Sequence, residues 1–143
     1  MKVTKATTRV LHTPADSPLA LGVPETSAKR AFVTLEMQTD EGVDGIGLTF
    51  IPALNASPLL PALNSAVDAL AQMVVGQDPM PVEAIASNLM EAASGSGPGG
   101  IFSLALSAVD MALWDIKGKA LNQSVCSLLG GYRNRLPTYA SGG

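Results

Sequence analysis

The side chains able to do chemistry are few and scattered. Among 143 residues there is one histidine, His12, and one cysteine, Cys126. A histidine can move a proton near neutrality, but His12 has no second titratable group beside it in sequence, and it reads as the polar end of a strand. Cys126 cannot close an internal disulfide, which suits a reducing compartment such as the cytoplasm. In a helical turn it reads as a small apolar residue. Asp110 and Asp115 invite comparison with a catalytic carboxylate pair. Five residues at about 100° each set them about 140° apart around a helix axis, so they cannot converge. Asp115 and Lys119, four apart, can pair with each other. Glu36, Asp40, Glu41 and Asp44 gather about one turn, where charge is ordinarily solvated, and metal binding is not expected there. The glycine-rich run at residues 94–100 follows a helix and lacks the Lys-Ser/Thr of a phosphate cradle. No residue is therefore assigned a catalytic or metal-ligating role.

The elements around these residues are clearer. Ala31, Val33, Leu35 and Met37 alternate with Thr34, Glu36 and Gln38, the mark of a strand with one buried face. Asp40-Glu41-Gly42 makes a turn, and residues 43–50 form the returning strand of a hairpin. Residues 2–12, rich in Thr and Val, give a further strand. Ser57 as cap and Pro58 at the first position open a helix that Gly76 closes, and a second helix spans 82–93. The third, in the stretch 99–119, places Phe102, Ala105, Val109, Ala112, Leu113 and Ile116 on one face. Leu104, Ala108 and Met111 lie opposite, so it is expected to be packed on most of its circumference. Trp114 reads as a packing anchor. Residues 124–129 add a helical turn, and 136–141 begin a strand. Two long segments, 13–27 and 49–57, leave the sheet side by side.

Composition narrows the function. With 47% apolar but only 15% charged residues, where about 25% charged is usual, part of the exterior is expected to be covered by another chain or domain. A net charge of -3 with scattered Lys and Arg gives no basic stripe for nucleic acid. No apolar run reaches the roughly 18 residues of a membrane span, and the basic start lacks the apolar stretch of a secretory signal.

Taken together, Thr39-Asp40-Glu41-Gly42, Val75-Gly76-Gln77-Asp78-Pro79, the run from Ala108 through Trp114-Asp115 to Gly118-Lys119, Leu128-Leu129-Gly130-Gly131 and Pro137-Thr138-Tyr139-Ala140-Ser141 resemble the amino-terminal region of the mandelate racemase and muconate lactonising branch of the enolase superfamily. The resemblance implies an α+β fold, a three-stranded antiparallel sheet followed by a helical bundle. Residues 1–132 would be a capping domain, with the sheet in 1–50 and helices in 57–129. Residues 133–143 would be a linker and the start of the first strand of a (β/α)8 barrel that is not among these residues. In that family the barrel holds Mg²⁺ on three carboxylates, and its Lys or His bases remove the proton beside a substrate carboxylate, so this chain itself would bind no metal.

What the resemblance leaves to this chain is substrate specificity and the exclusion of water from a hydroxy-acid or sugar-acid racemase or dehydratase, inactive without its barrel. Its two capping loops correspond to residues 13–27 and 49–57. Leu19, Leu21, Val23 and Phe50 are the expected lid over the substrate, and Ser141 the expected hydrogen-bond donor to its carboxylate. The partners implied are the barrel, a small carboxylate substrate and further copies in a homo-oligomer, with neither nucleic acid nor membrane. The competing reading is a stand-alone, non-catalytic α+β interaction module.

Overall fold

The computed structural model describes residues 1–14, 29–52, 57–96, 99–133 and 135–139. Strands β1 (Val3–Pro14), β2 (Lys29–Thr39) and β3 (Gly45–Thr49) form an antiparallel sheet in the order β1-β2-β3. Helices α1 (Leu60–Val74), α2 (Val82–Ala92), α3 (Gly100–Leu121) and the short α4 (Val125–Leu128) follow, with one 3-10 turn, Ser94–Ser96, between α2 and α3. The expected α+β architecture is what forms.

Alternation along β2 decides which face is inner. Val33, Leu35 and Met37 are fully buried, while Thr34, Glu36 and Gln38 stand on the other face. The β2–β3 turn is held by Thr39, whose Oγ1 donates to the Val43 carbonyl at 2.8 Å and accepts from the Val43 N–H at 3.1 Å. Gly42 takes φ 74° there, a conformation that disfavours a side chain. Val3 is tied down at the opposite side of the sheet, its N–H donating to Gln77 and its carbonyl accepting from Gly76.

Helix α1 buries Leu60, Leu63, Val67, Leu70, Ala71 and Val74 along one stripe, the 3.6-residue period that its sequence carries. It starts later than expected. Ser57 does not cap it: the Ser57 Oγ accepts from the Leu59 N–H at 3.2 Å and its carbonyl from Leu60 at 3.0 Å, closing a turn ahead of the helix. The first turn instead contains Pro61, whose fixed φ suits that place and whose missing N–H is not needed there.

Helix α3 lies directly beneath β3. Ala105, Val109, Ala112, Leu113 and Ile116 are buried as expected, and so is Ala108, which the wheel had put on the outer side. The reason is the sheet. A Cβ on Gly47 would collide with the Ala108 carbonyl, and one on Gly45 with the Ala112 carbonyl and the Ile116 side chain. The two backbones therefore approach more closely than any side chain on β3 allows. Met111, expected to be packed, is 49% exposed. The strand expected from residue 136 does not form over Leu136–Tyr139, where no neighbouring described strand offers a ladder to join.

Because carbonyls cannot yield as a flexible side chain would, Gly47→Ala is expected to destabilise the chain by at least about 3 kcal/mol. Gly95→Ala, at a position open to solvent, should stay within about 0.5 kcal/mol. Urea unfolding of the two variants checks both.

Candidate functional site

Both long segments leave from one end of the sheet. Pro14 and Lys29, which flank residues 15–28, are paired across β1 and β2. The last residue of β3, Thr49, pairs with Val33 towards that same end. There the outer face carries an apolar row: Leu11 on β1 lies opposite Phe32 on β2, and the Phe32 ring meets that of Phe50 at 5.7 Å between centroids, tilted 58°. Leu11 is 46% and Phe50 45% exposed. Farther from this end β2 turns polar on the outer face, with Thr34, Glu36 and Gln38, while β3 continues with Leu48 and Ile46.

On the inner side of the same end, a cleft of about 500 Å³ lies between β1 and the start of α1, lined by Val10, His12, Ser57, Pro58, Asn64 and Ser65 among others. His12 is exposed, as a strand-end polar residue should be. The Asn64 Oδ1 is buried with no hydrogen-bond partner among the described residues.

The sheet reaches this position through a polar tie at its outer edge. The Asp115 Oδ2 accepts from the Ile46 N–H at 2.9 Å and from the Lys119 ammonium at 2.7 Å, and that ammonium also donates to the Asp44 carbonyl at 2.8 Å. The expected Asp115–Lys119 pair thus forms, and it covers the free edge of β3 as well. The acidic turn is occupied in the same manner. Asp40 accepts from the Lys2 N–H at 2.7 Å, and Glu41 pairs with the Met1 ammonium at 2.8 Å. On the far flank of α3, Lys117 sits 5.0 Å from the Trp114 ring centroid. Trp114, Asp110, Met111, Val125 and Leu129 border a second cleft of about 430 Å³.

Comparison with known proteins places this arrangement. Residues 4–130 match the mandelate racemase / muconate lactonizing enzyme N-terminal domain. The chain belongs to that family. It is 36% identical over 143 residues to D-galactarolactone cycloisomerase of Agrobacterium fabrum, covering 99% of this chain and 36% of that protein. It is 42% identical over 106 residues to D-galactonate dehydratase of Xanthomonas axonopodis pv. citri, covering 73% of this chain and 26% of that one. The crystal structure of an enolase from alpha proteobacterium bal199 with bound Mg matches with a TM-score of 0.75 at 26% identity, over 90% of this chain and 34% of the other. The chain thus spans between about a quarter and about a third of the length of these proteins.

Mg²⁺ is implied for the family, but the residues described here do not fit it. Among them no three His, Cys, Asp or Glu side chains lie close enough together to hold a metal ion, and Asp40, Glu41 and Asp115 are already engaged as above. Also among the described residues, no helix is long and apolar enough to cross a membrane.

Of the expected site residues, Phe50 stands at the loop-bearing end of the sheet. Leu19, Leu21, Val23 and Ser141 lie outside the described residues. Sequence reasoning missed Phe32 and Leu11. The signal for Phe32 was available, since it places a large aromatic on the face of β2 that otherwise alternates to polar residues.

Burial beside Met111 and Trp114 pushes the Asp110 carboxyl above the ordinary carboxylate range. The folded chain then holds that proton more tightly than the unfolded chain does. Stability from this group falls as pH rises from about 3.9 through the raised value. Asp110→Asn is expected to raise Tm at pH 7, the gain disappearing below about pH 3.5, in thermal melts across that range.

Proposed function

We propose that this chain is the capping domain of a sugar-acid or hydroxy-acid enzyme of the family, one that removes the proton beside a substrate carboxylate in a racemase, dehydratase or cycloisomerase reaction. The observation that carries the reading is an end-to-end match to a cycloisomerase nearly three times as long, in a chain whose loop-bearing end presents apolar side chains and whose described residues include no metal cluster.

In this reading the chain's own residues do three things. Phe50, with Leu19, Leu21 and Val23 from the first loop, covers the substrate and keeps water out, which strengthens every charge interaction beneath. Ser141 donates a hydrogen bond to the substrate carboxylate. Exposed apolar groups on the α3–α4 flank and after it, Met111, Leu129, Leu136 and Tyr139, receive the barrel domain that carries the catalytic bases. The Mg²⁺ of the family is held there as well, by carboxylates outside this chain. The complete protein is a cytoplasmic homo-oligomer. The low charged fraction supports such covering.

The test is a hybrid in which this chain replaces the corresponding first third of the Agrobacterium fabrum cycloisomerase. In D₂O with Mg²⁺ the hybrid is expected to exchange the proton beside the carboxylate of at least one acid in a panel of aldaric acids, aldonic acids and their lactones. The 143-residue chain alone should exchange none. A folded hybrid inert towards the whole panel would refute the proposal, as would exchange by the chain alone.

A further inference from the structure

Phe32 has no packing duty in the core. The inner face of β2 is closed by Val33, Leu35 and Met37, and the outward positions that follow Phe32 are Thr34, Glu36 and Gln38. Phe32 is nonetheless half-buried, so neighbours on this outer face must cover part of its ring. It touches Phe50. The β2–β3 register pairs Val33 with Thr49, so the next step brings Phe32 beside Phe50 on the opposite face, and the rings meet at 5.7 Å and 58°. That is the tilted geometry in which the edge of one ring meets the face of the other.

Phe50 follows β3 and is 45% exposed. A phenylalanine so open to solvent would hop between rotamers unless a neighbour removed some of them. Phe32 is that neighbour, with Leu11 opposite it on β1 closing the row from the other side. All three sit on strands or at a strand end, so the row is held by the sheet itself.

We propose that Phe32 is a positioning residue that fixes the ring of Phe50, and so sets the shape of the apolar wall that Phe50 presents to a substrate. The second half of this statement rests on the reading of Phe50 as part of the substrate cover, whereas the first stands on the ring geometry alone.

The experiment has two arms that separate these halves. In this chain, with isotope-labelled phenylalanine, NMR should show contacts between the two rings and a ring-current shift of the Phe50 signals. Phe32→Ala should abolish that shift while leaving the rest of the spectrum in place. Phe32→Leu, which keeps apolar bulk, should keep a restricted Phe50 ring if the alanine variant folds poorly. In the hybrid enzyme, Phe32→Ala and Phe50→Ala should each raise KM about fivefold with kcat within about twofold, and Phe32→Tyr should restore it. Unchanged Phe50 signals in Phe32→Ala overturn the proposal, and so does a KM that responds to Phe50→Ala but not to Phe32→Ala. Should KM ignore Phe50→Ala while the ring signals still follow Phe32, the substrate-cover reading fails and the positioning of Phe50 stands.

Discussion

Two carbonyl oxygens of α3 lie where side chains of β3 would otherwise be. With Gly45 over Ala112 and Gly47 over Ala108, strand and helix approach through backbone alone, and everything nearby takes its place from that contact. Because α3 lies so close, Asp115 can reach the Ile46 N–H and Lys119 the Asp44 carbonyl. That pair satisfies edge groups which would otherwise be left for water or another strand. On its other side α3 packs with α1, whose buried stripe closes the core against β2. The position of Phe50, three residues beyond Gly47, is a consequence of this seam.

The seam also divides the sheet into two unlike surfaces. The inner face is saturated, with Val33, Leu35 and Met37 at no exposure, and has nothing left to offer a ligand except at its open end beside His12 and Asn64. The outer face carries the polar half of β2, and its apolar side chains collect at the end where the loops depart and along β3. Asp40, Glu41 and Asp115 are tied to backbone N–H groups, the Met1 ammonium and Lys119, and in the reading proposed above such a domain contributes shape and dryness to the reaction.

Much of this was legible from sequence because it follows from period and pairing. The alternation of β2, the Gly42 turn, the three long helices and the Asp115–Lys119 pair all depend on neighbours within a few residues, which spacing reports directly. Features that depend on distant residues were not legible. Ala108 sat on the wrong side of a helical wheel because a wheel knows nothing of a strand 61 residues earlier whose glycines let it in. The start of α1 was misplaced by two residues because two prolines, Pro58 and Pro61, both satisfy the local rule, and only the turn closed by Ser57 chooses between them. Phe50 could be named from its place at the hairpin's end, while its partner Phe32 required the register of β2 on β3. Leu19, Leu21, Val23 and Ser141 rest on the resemblance alone, since they fall outside the described residues.

The shortage of charge then has a physical meaning. A chain with 15% charged residues still has to keep its exterior compatible with water, and the folded chain does so unevenly. Charge is spent on the β2–β3 turn, on the edge of β3 and beside Trp114, whereas Ile46, Leu48 and Phe50 on one side and Met111, Leu129, Leu136 and Tyr139 on another remain exposed. Single exposed apolar residues need no explanation, but runs of them do. Asp110 sharpens the point. Burial holds the proton of its carboxyl more tightly, so ionising it at neutral pH costs the folded chain stability, and it stands beside the exposed Met111 and Leu129, on the flank that the reading proposed above assigns to the barrel.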